Sequence, residues 1–144
     1  MTQRQPAFDE AQLDTTARRL GLRNVILFGS HATGSPPPGP ESDLDVAITL
    51  GTPEPPGFWE CHSALGAVFP DHSLDLVLLR DADPLFRWEI MRAAVLLWGD
   101  IDEFLELRAF AYRDFVDSAD LRALERTLSE RKLAHIQELI RAAS

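Results

Sequence analysis

Between Phe28 and Val46 the chain reads FGSHATGSPPPGPESDLDV, and this stretch limits the fold more than any other. The apolar run at 24–28 (NVILF) stops at a Gly-Ser pair, as a buried strand does when it enters a tight turn. Residues 35–41 (SPPPGPE) are excluded from helix interiors and central strands, because proline lacks an amide donor and fixes φ; they form a surface loop. Residues 43–49 (DLDVAIT) then alternate, with Leu44, Val46 and Ile48 on one side and Asp43, Asp45 and Ala47 on the other, the pattern of a half-buried strand. Asp43 and Asp45 therefore project from one face, where unpaired carboxylates raise one another's pKa.

The flanking elements follow from periodicity and breakers. Leu13, Ala17 and Leu20 recur at helical spacing over 8–20, and Gly21 ends that helix. A second breaker cluster, GTPEPPG at 51–57, precedes a helix over 58–69 and a strand over 74–79 (LDLVLL) that carries Asp75. Asp83 followed by Pro84 is a helix start, with Asp as N-cap and Pro at the first helical position; that helix runs to about Arg92. An apolar run at 94–98 (AVLLW) is closed by Gly99, and two more helices fit 101–117 and 121–143, the last with an apolar stripe that slips once near Arg131 and Lys132. The expected fold class is α/β (α+β), a small mixed sheet flanked by helices, with helices at the C-terminus. One domain over 1–144 is expected, its sheet and helices within 1–100 and a candidate partner surface within 101–144.

A strand bearing Asp75 beside the strand of Asp43 and Asp45 would gather three carboxylates. An all-oxygen set of that kind suits Mg²⁺ or Mn²⁺, and the cation keeps the acids ionised. Two metals so held activate an attacking hydroxyl and stabilise the entering and departing oxygens of a displacement at phosphorus. Gly29 would let the backbone approach a phosphate, the Ser30 hydroxyl and nearby amides would bond its oxygens, and Gly34 would permit a bend before the loop. Each element also has a plainer reading: Gly-Ser as a simple turn, Ser42 or Asp43 as a turn cap, and Asp75 as an edge-facing or salt-bridged acid. It is the ordered set that favours chemistry.

Composition narrows the classes further. A formal net charge of −9 argues against direct nucleic-acid binding, which draws on Lys and Arg. No apolar run reaches membrane-spanning length, the N-terminus lacks a signal-peptide stretch, and Cys61 stands alone, so a cytoplasmic location is expected. Cys61 reads as a small buried hydrophobe, and His31, His62, His72 and His135 show no zinc-ligand spacing. His31 is either a phosphate contact or a solvated turn residue. Trp59, Trp88 and Trp98 are expected in the core or an interface, and Tyr112, Phe110 and Phe115 in core packing.

The motifs FGSHATG at 28–34, SDLDVAI at 42–48 and LDLVLL at 74–79 together resemble the nucleotidyltransferase fold of the DNA polymerase β superfamily, in its minimal nucleotidyltransferase branch. The downstream order, an Asp-Pro helix, EIMRAAVLLWGD and a helix with AYRDFVD, resembles the small antitoxins of HEPN/MNT pairs, a type VII-like toxin-antitoxin system. This resemblance implies transfer of AMP from ATP to a tyrosine of a partner HEPN-domain ribonuclease toxin. It implies Asp43 and Asp45 as ligands of both metals, Asp75 as a third ligand that assists deprotonation, and Gly29 and Ser30 as triphosphate binders. Thr33 stands where many relatives carry Arg, and the proline loop is longer than usual. Two other functions stay open: nucleotidyl transfer to a small molecule, and a silent antitoxin that acts by occlusion.

Overall fold

The computed structural model describes residues 6–39 and 41–143. Helix α1 (Glu10–Leu20) leads into β1 (Leu22–Phe28), the short α2 (Ser30–Thr33) and β2 (Leu44–Leu50). Then come α3 (Phe58–Val68), β3 (Leu74–Leu78), a 3₁₀ turn over Leu79–Asp81 and α4 (Pro84–Met91). Strand β4 (Val95–Gly99), α5 (Ile101–Asp117) and α6 (Ala119–Ala142) complete the chain. Local signals set these ends. Asp9 and Asp83 accept the amides of Ala11 and Phe86 at 2.9 and 2.8 Å, Asp100 accepts that of Glu103 at 3.1 Å, and Gly21 closes α1 at φ 71°.

The four strands lie in the order β3-β2-β1-β4; β1 is antiparallel to β2 and β4, whereas β2 and β3 are parallel. The parallel pair requires a crossover, which α3 supplies. Helices α1 and α3 cover one face, burying Leu13, Ala17, Cys61, Leu65 and Phe69 on Val25, Leu27, Leu44, Val46 and Ile48. Helices α4 and α5 cover the other, with Ile90, Met91, Phe104 and Ala111 on Ile26 and Ala47. Cys61 is buried as expected, and that burial pushes its thiol pKa up.

The half-buried reading of β2 is thus corrected: Ala47, on the aspartate side, is fully buried beneath α4 and α5, and that face is partly open only toward the strand's two ends, at Asp45 and Thr49. Covering helices produce a strand buried on both faces, which a single alternating pattern understates. The aromatic expectations divide. Trp88 packs on Tyr112 and Phe115, and the Trp98 indole donates to Asp14 at 2.9 Å. Trp59 is 74% exposed, and Phe110 and Tyr112 are also exposed on α5. Two arginines fix the α4–α5 cover. Arg108 donates to the carbonyls of Met91 and Ala94, and Arg87 donates to the carbonyl of Ala82 and to Asp114.

Helix α6 buries none of its described side chains and leaves Leu121, Leu124, Leu128, Leu133, Ile136, Leu139 and Ile140 exposed. It does not pack back on the sheet. The contrast between α5 and α6 is measurable by urea denaturation: Phe104→Ala, on a side chain 3% exposed, should cost about 3–5 kcal/mol. Leu124→Ala, on an exposed side chain, should change stability by no more than about 0.5 kcal/mol.

Candidate active site

The acids meet at the open end of the sheet. In register, Asp45 of β2 stands opposite Asp75 of β3 on one side and Phe28 of β1 on the other. Directly paired residues share a face, so both carboxylates rise from the α4–α5 side, before those helices begin to cover it. Asp43 lies just ahead of β2 and is exposed; Asp75 is exposed and Asp45 half-buried. The pairing of β3 beside β2 that a shared cluster requires is therefore present.

The Gly-Ser turn closes the third side. Gly29 has φ 73°, a conformation L side chains rarely adopt, and a Cβ there would fall 2.2 Å from the Asp45 Oδ2. Both facts require glycine. The chain then turns into α2, whose first residues Ser30 and His31 present amides that a helix does not engage internally. Gly34 ends α2 at φ 73°, its amide donating to the Ser30 carbonyl at 2.7 Å. Its structural role is thus a helix C-cap, at the opposite end of α2 from Gly29. Thr33 donates its hydroxyl to the Gly29 carbonyl at 3.2 Å and closes the same turn. Ser42 accepts the Gly39 amide at 2.9 Å, so the first residue of the Ser-Asp motif also caps the proline loop.

Charge at this end is unbalanced. Burial raises the Asp45 pKa to about 6, reinforced by the Asp75 charge, a shared hydrogen bond with Asp75 and the Asp43 charge, with His31 opposing. Among the described residues no three acid, His or Cys side chains already stand at metal-ligating spacing. The donor set is nonetheless all carboxylate oxygen on adjoining segments, with the Asp45 pKa raised by burial and by its acidic neighbours, and such a set fits a hard divalent cation. A cavity of about 530 Å³ lined by Arg23, Thr49, Glu106 and Arg113 lies toward the other end of the sheet and takes no part.

Two histidines without a clear role in the sequence belong to this site. His31 is 8% exposed, its Nε2 lies 3.3 Å from the Ser42 carbonyl, and its ring meets that of His72 edge-on at 5.0 Å. The solvated-turn reading of His31 gives way to this inward contact. A histidine between a Gly-Ser pair and an Ala is the only signal the sequence holds, and it does not say which way the ring turns. His62 donates to or accepts from no acid; its Nε2 pairs with the Leu74 carbonyl at 2.9 Å.

Comparison with known proteins agrees with this geometry. The family pattern described as polymerase beta, nucleotidyltransferase, matches residues 12–103, from α1 into the start of α5. The chain belongs to that family. No curated protein matches it. Among solved structures, a chain from a toxin-antitoxin crystal structure with AMP-PNP is 21% identical, with a TM-score of 0.59 over 92% of this chain and 98% of that one. A chain from a complex of tri-AMPylated Shewanella oneidensis HEPN toxin with MNT antitoxin is 19% identical, with a TM-score of 0.52 over 91% and 95%. A chain of the MntA-HepT toxin-antitoxin structure is 19% identical, with a TM-score of 0.51 over 91% and 96%. These likenesses show a shared fold across nearly the whole chain.

The raised Asp45 pKa has a sign that can be checked. An acid held at about 6 when folded and 3.8 when free favours the folded state below pH 4 and withdraws that support as pH rises through 6. In EDTA, Asp45→Asn should therefore raise Tm relative to wild type at pH 7.5, and the gain should vanish near pH 4. Gly29→Ala should lower Tm at every pH, read from the same melts.

Proposed function

We propose that the protein is a metal-dependent nucleotidyltransferase that moves AMP from ATP to a tyrosine hydroxyl of a HEPN-domain ribonuclease toxin, and so acts as that toxin's antitoxin. The observation that carries the chemistry is the register of Asp45 opposite Asp75, with Gly29 pressed against the Asp45 carboxylate. Family membership and the fold shared with antitoxin complexes support the same reading.

Asp43, Asp45 and Asp75 would hold Mg²⁺ or Mn²⁺, which supplies charge stabilisation at the reacting phosphoryl group. The nucleotide's phosphates would lie along the Gly29–Ser30 turn, where the missing Cβ lets backbone amides approach and the Ser30 hydroxyl adds a donor. The acceptor oxygen then attacks the α-phosphorus and the bond to the β-phosphate bridging oxygen breaks, so that pyrophosphate leaves. The acceptor's proton passes to Asp75, an exposed carboxylate able to take it. AMP ends on the acceptor oxygen.

The toxin would dock on α6. Seven exposed apolar side chains on one 24-residue helix exceed what a solvated element carries, and a partner that covers them supplies the missing burial. Docking of this kind would also let a silent protein neutralise by occlusion. Intact mass separates the two: incubation with Mg²⁺, ATP and the partner should add units of about 329 Da, the mass of one transferred adenylyl group. Asp43→Ala with Asp45→Ala should lower transfer by at least about a thousandfold, and EDTA should stop it. A folded double mutant that transfers normally would sink the mechanism. Ile136→Glu should weaken the complex more than about tenfold by calorimetry while the protein's own Tm stays unchanged.

A further inference from the structure

We propose that His31 is a positioning residue that locks the Gly29–Ser30 turn to the segments leading into Asp43 and Asp75, and so sets how the acids hold a divalent cation. The proposal rests on the nucleotidyl-transfer reading of the site. Three observations converge. The ring is 8% exposed although it sits on a four-residue helix beside an exposed loop, so it is built into the protein rather than extended toward a ligand. Its Nε2 lies 3.3 Å from the carbonyl of Ser42, the residue immediately before Asp43. Its ring packs edge-on against His72, three residues before Asp75, at 5.0 Å and 77°.

The contact has a defined chemistry. A carbonyl only accepts, so Nε2 must carry a proton and donate it to the Ser42 carbonyl. The neighbouring backbone is already joined, since the Leu44 amide donates to the Ser73 carbonyl at 2.8 Å. His31 adds a side-chain connection from the Gly29–Ser30 turn to the segments that enter that pair of strands. An apolar side chain of similar size would fill the same space but release the Ser42 carbonyl, and with it the backbone that aims Asp43. Groups that orient ligating residues in this way commonly change metal affinity by about 10–100-fold when lost.

The test compares His31→Leu, which keeps bulk and loses the donor, with His31→Gln, which keeps an N–H donor at comparable reach. Mn²⁺ binding by calorimetry, Tm in EDTA, and kcat and KM for ATP in the transfer assay are measured for both. The expected result is a Leu variant with near wild-type Tm, Mn²⁺ affinity down about 10–100-fold and kcat reduced, and a Gln variant within about threefold of wild type. A Leu variant that binds Mn²⁺ and turns over like wild type overturns the proposal, as does a Gln variant no better than Leu. Should the Leu variant fail to fold, ¹⁵N NMR of the wild-type imidazole decides: hydrogen on Nε2 of His31 is expected, and an Nε2 without hydrogen overturns the proposal. Wild-type protein that neither binds Mn²⁺ nor transfers AMP removes the underlying reading as well, an outcome distinct from the failure of His31 alone.

Discussion

The pairing of β2 with β3 in parallel register is the constraint on which the rest depends. It sets Asp45 against Asp75 on the face that Ile26 and Ala47 share, and it does so one step before α4 and α5 begin to cover that face. Were the register displaced by one residue, the acids would face α1 and α3 and the buried leucines would face out. The apolar contacts of Leu44, Val46, Ile48 and Leu76 therefore fix where the charges stand. Gly29 follows from the same register, because the only backbone that passes the Asp45 carboxylate at that distance is one without a Cβ.

Much of this was legible in the residues. The cap at Asp83, the breaker at Gly21 and the strand ending at Phe28 are local effects, and local signals report them well. The shared face of Asp45 and Ala47 followed from a period of two, whereas Asp43 lies just ahead of the strand. What escaped depended on tertiary cover. Nothing in DLDVAIT says that Ala47 lies under two helices, and nothing in SHAT says that His31 turns inward to a carbonyl eleven residues on. Trp59 shows the same limit from the other side: a large apolar side chain on a helix with a buried face need not be on that face.

The distribution of positive charge separates structure from chemistry. Arg87 and Arg108 lie against backbone carbonyls of the 3₁₀ turn and the α4–β4 connection, where a guanidinium satisfies several acceptors at once. They hold the covering helices to the sheet. At the first motif, Thr33 closes a turn through its hydroxyl. Under the proposed reading, neutralisation of the acid cluster would fall to a bound ion and to nucleotide-facing amides, so the charge state of this end of the molecule would depend on what is bound there.

Helix α6 leaves the body of the protein at Ser118, which Arg122 grips, and its 24 residues span about 36 Å. If its apolar stripe holds the substrate protein, recognition and reaction occur in separate places joined by a rod. The acceptor hydroxyl is then delivered as though it belonged to the same molecule, at an effective concentration on the order of millimolar. Under that arrangement the residues around the acceptor need little affinity of their own. A drifting acceptor sequence would be tolerated so long as the grip on the rod persisted, and the selectivity of such an enzyme would be inherited from its handle.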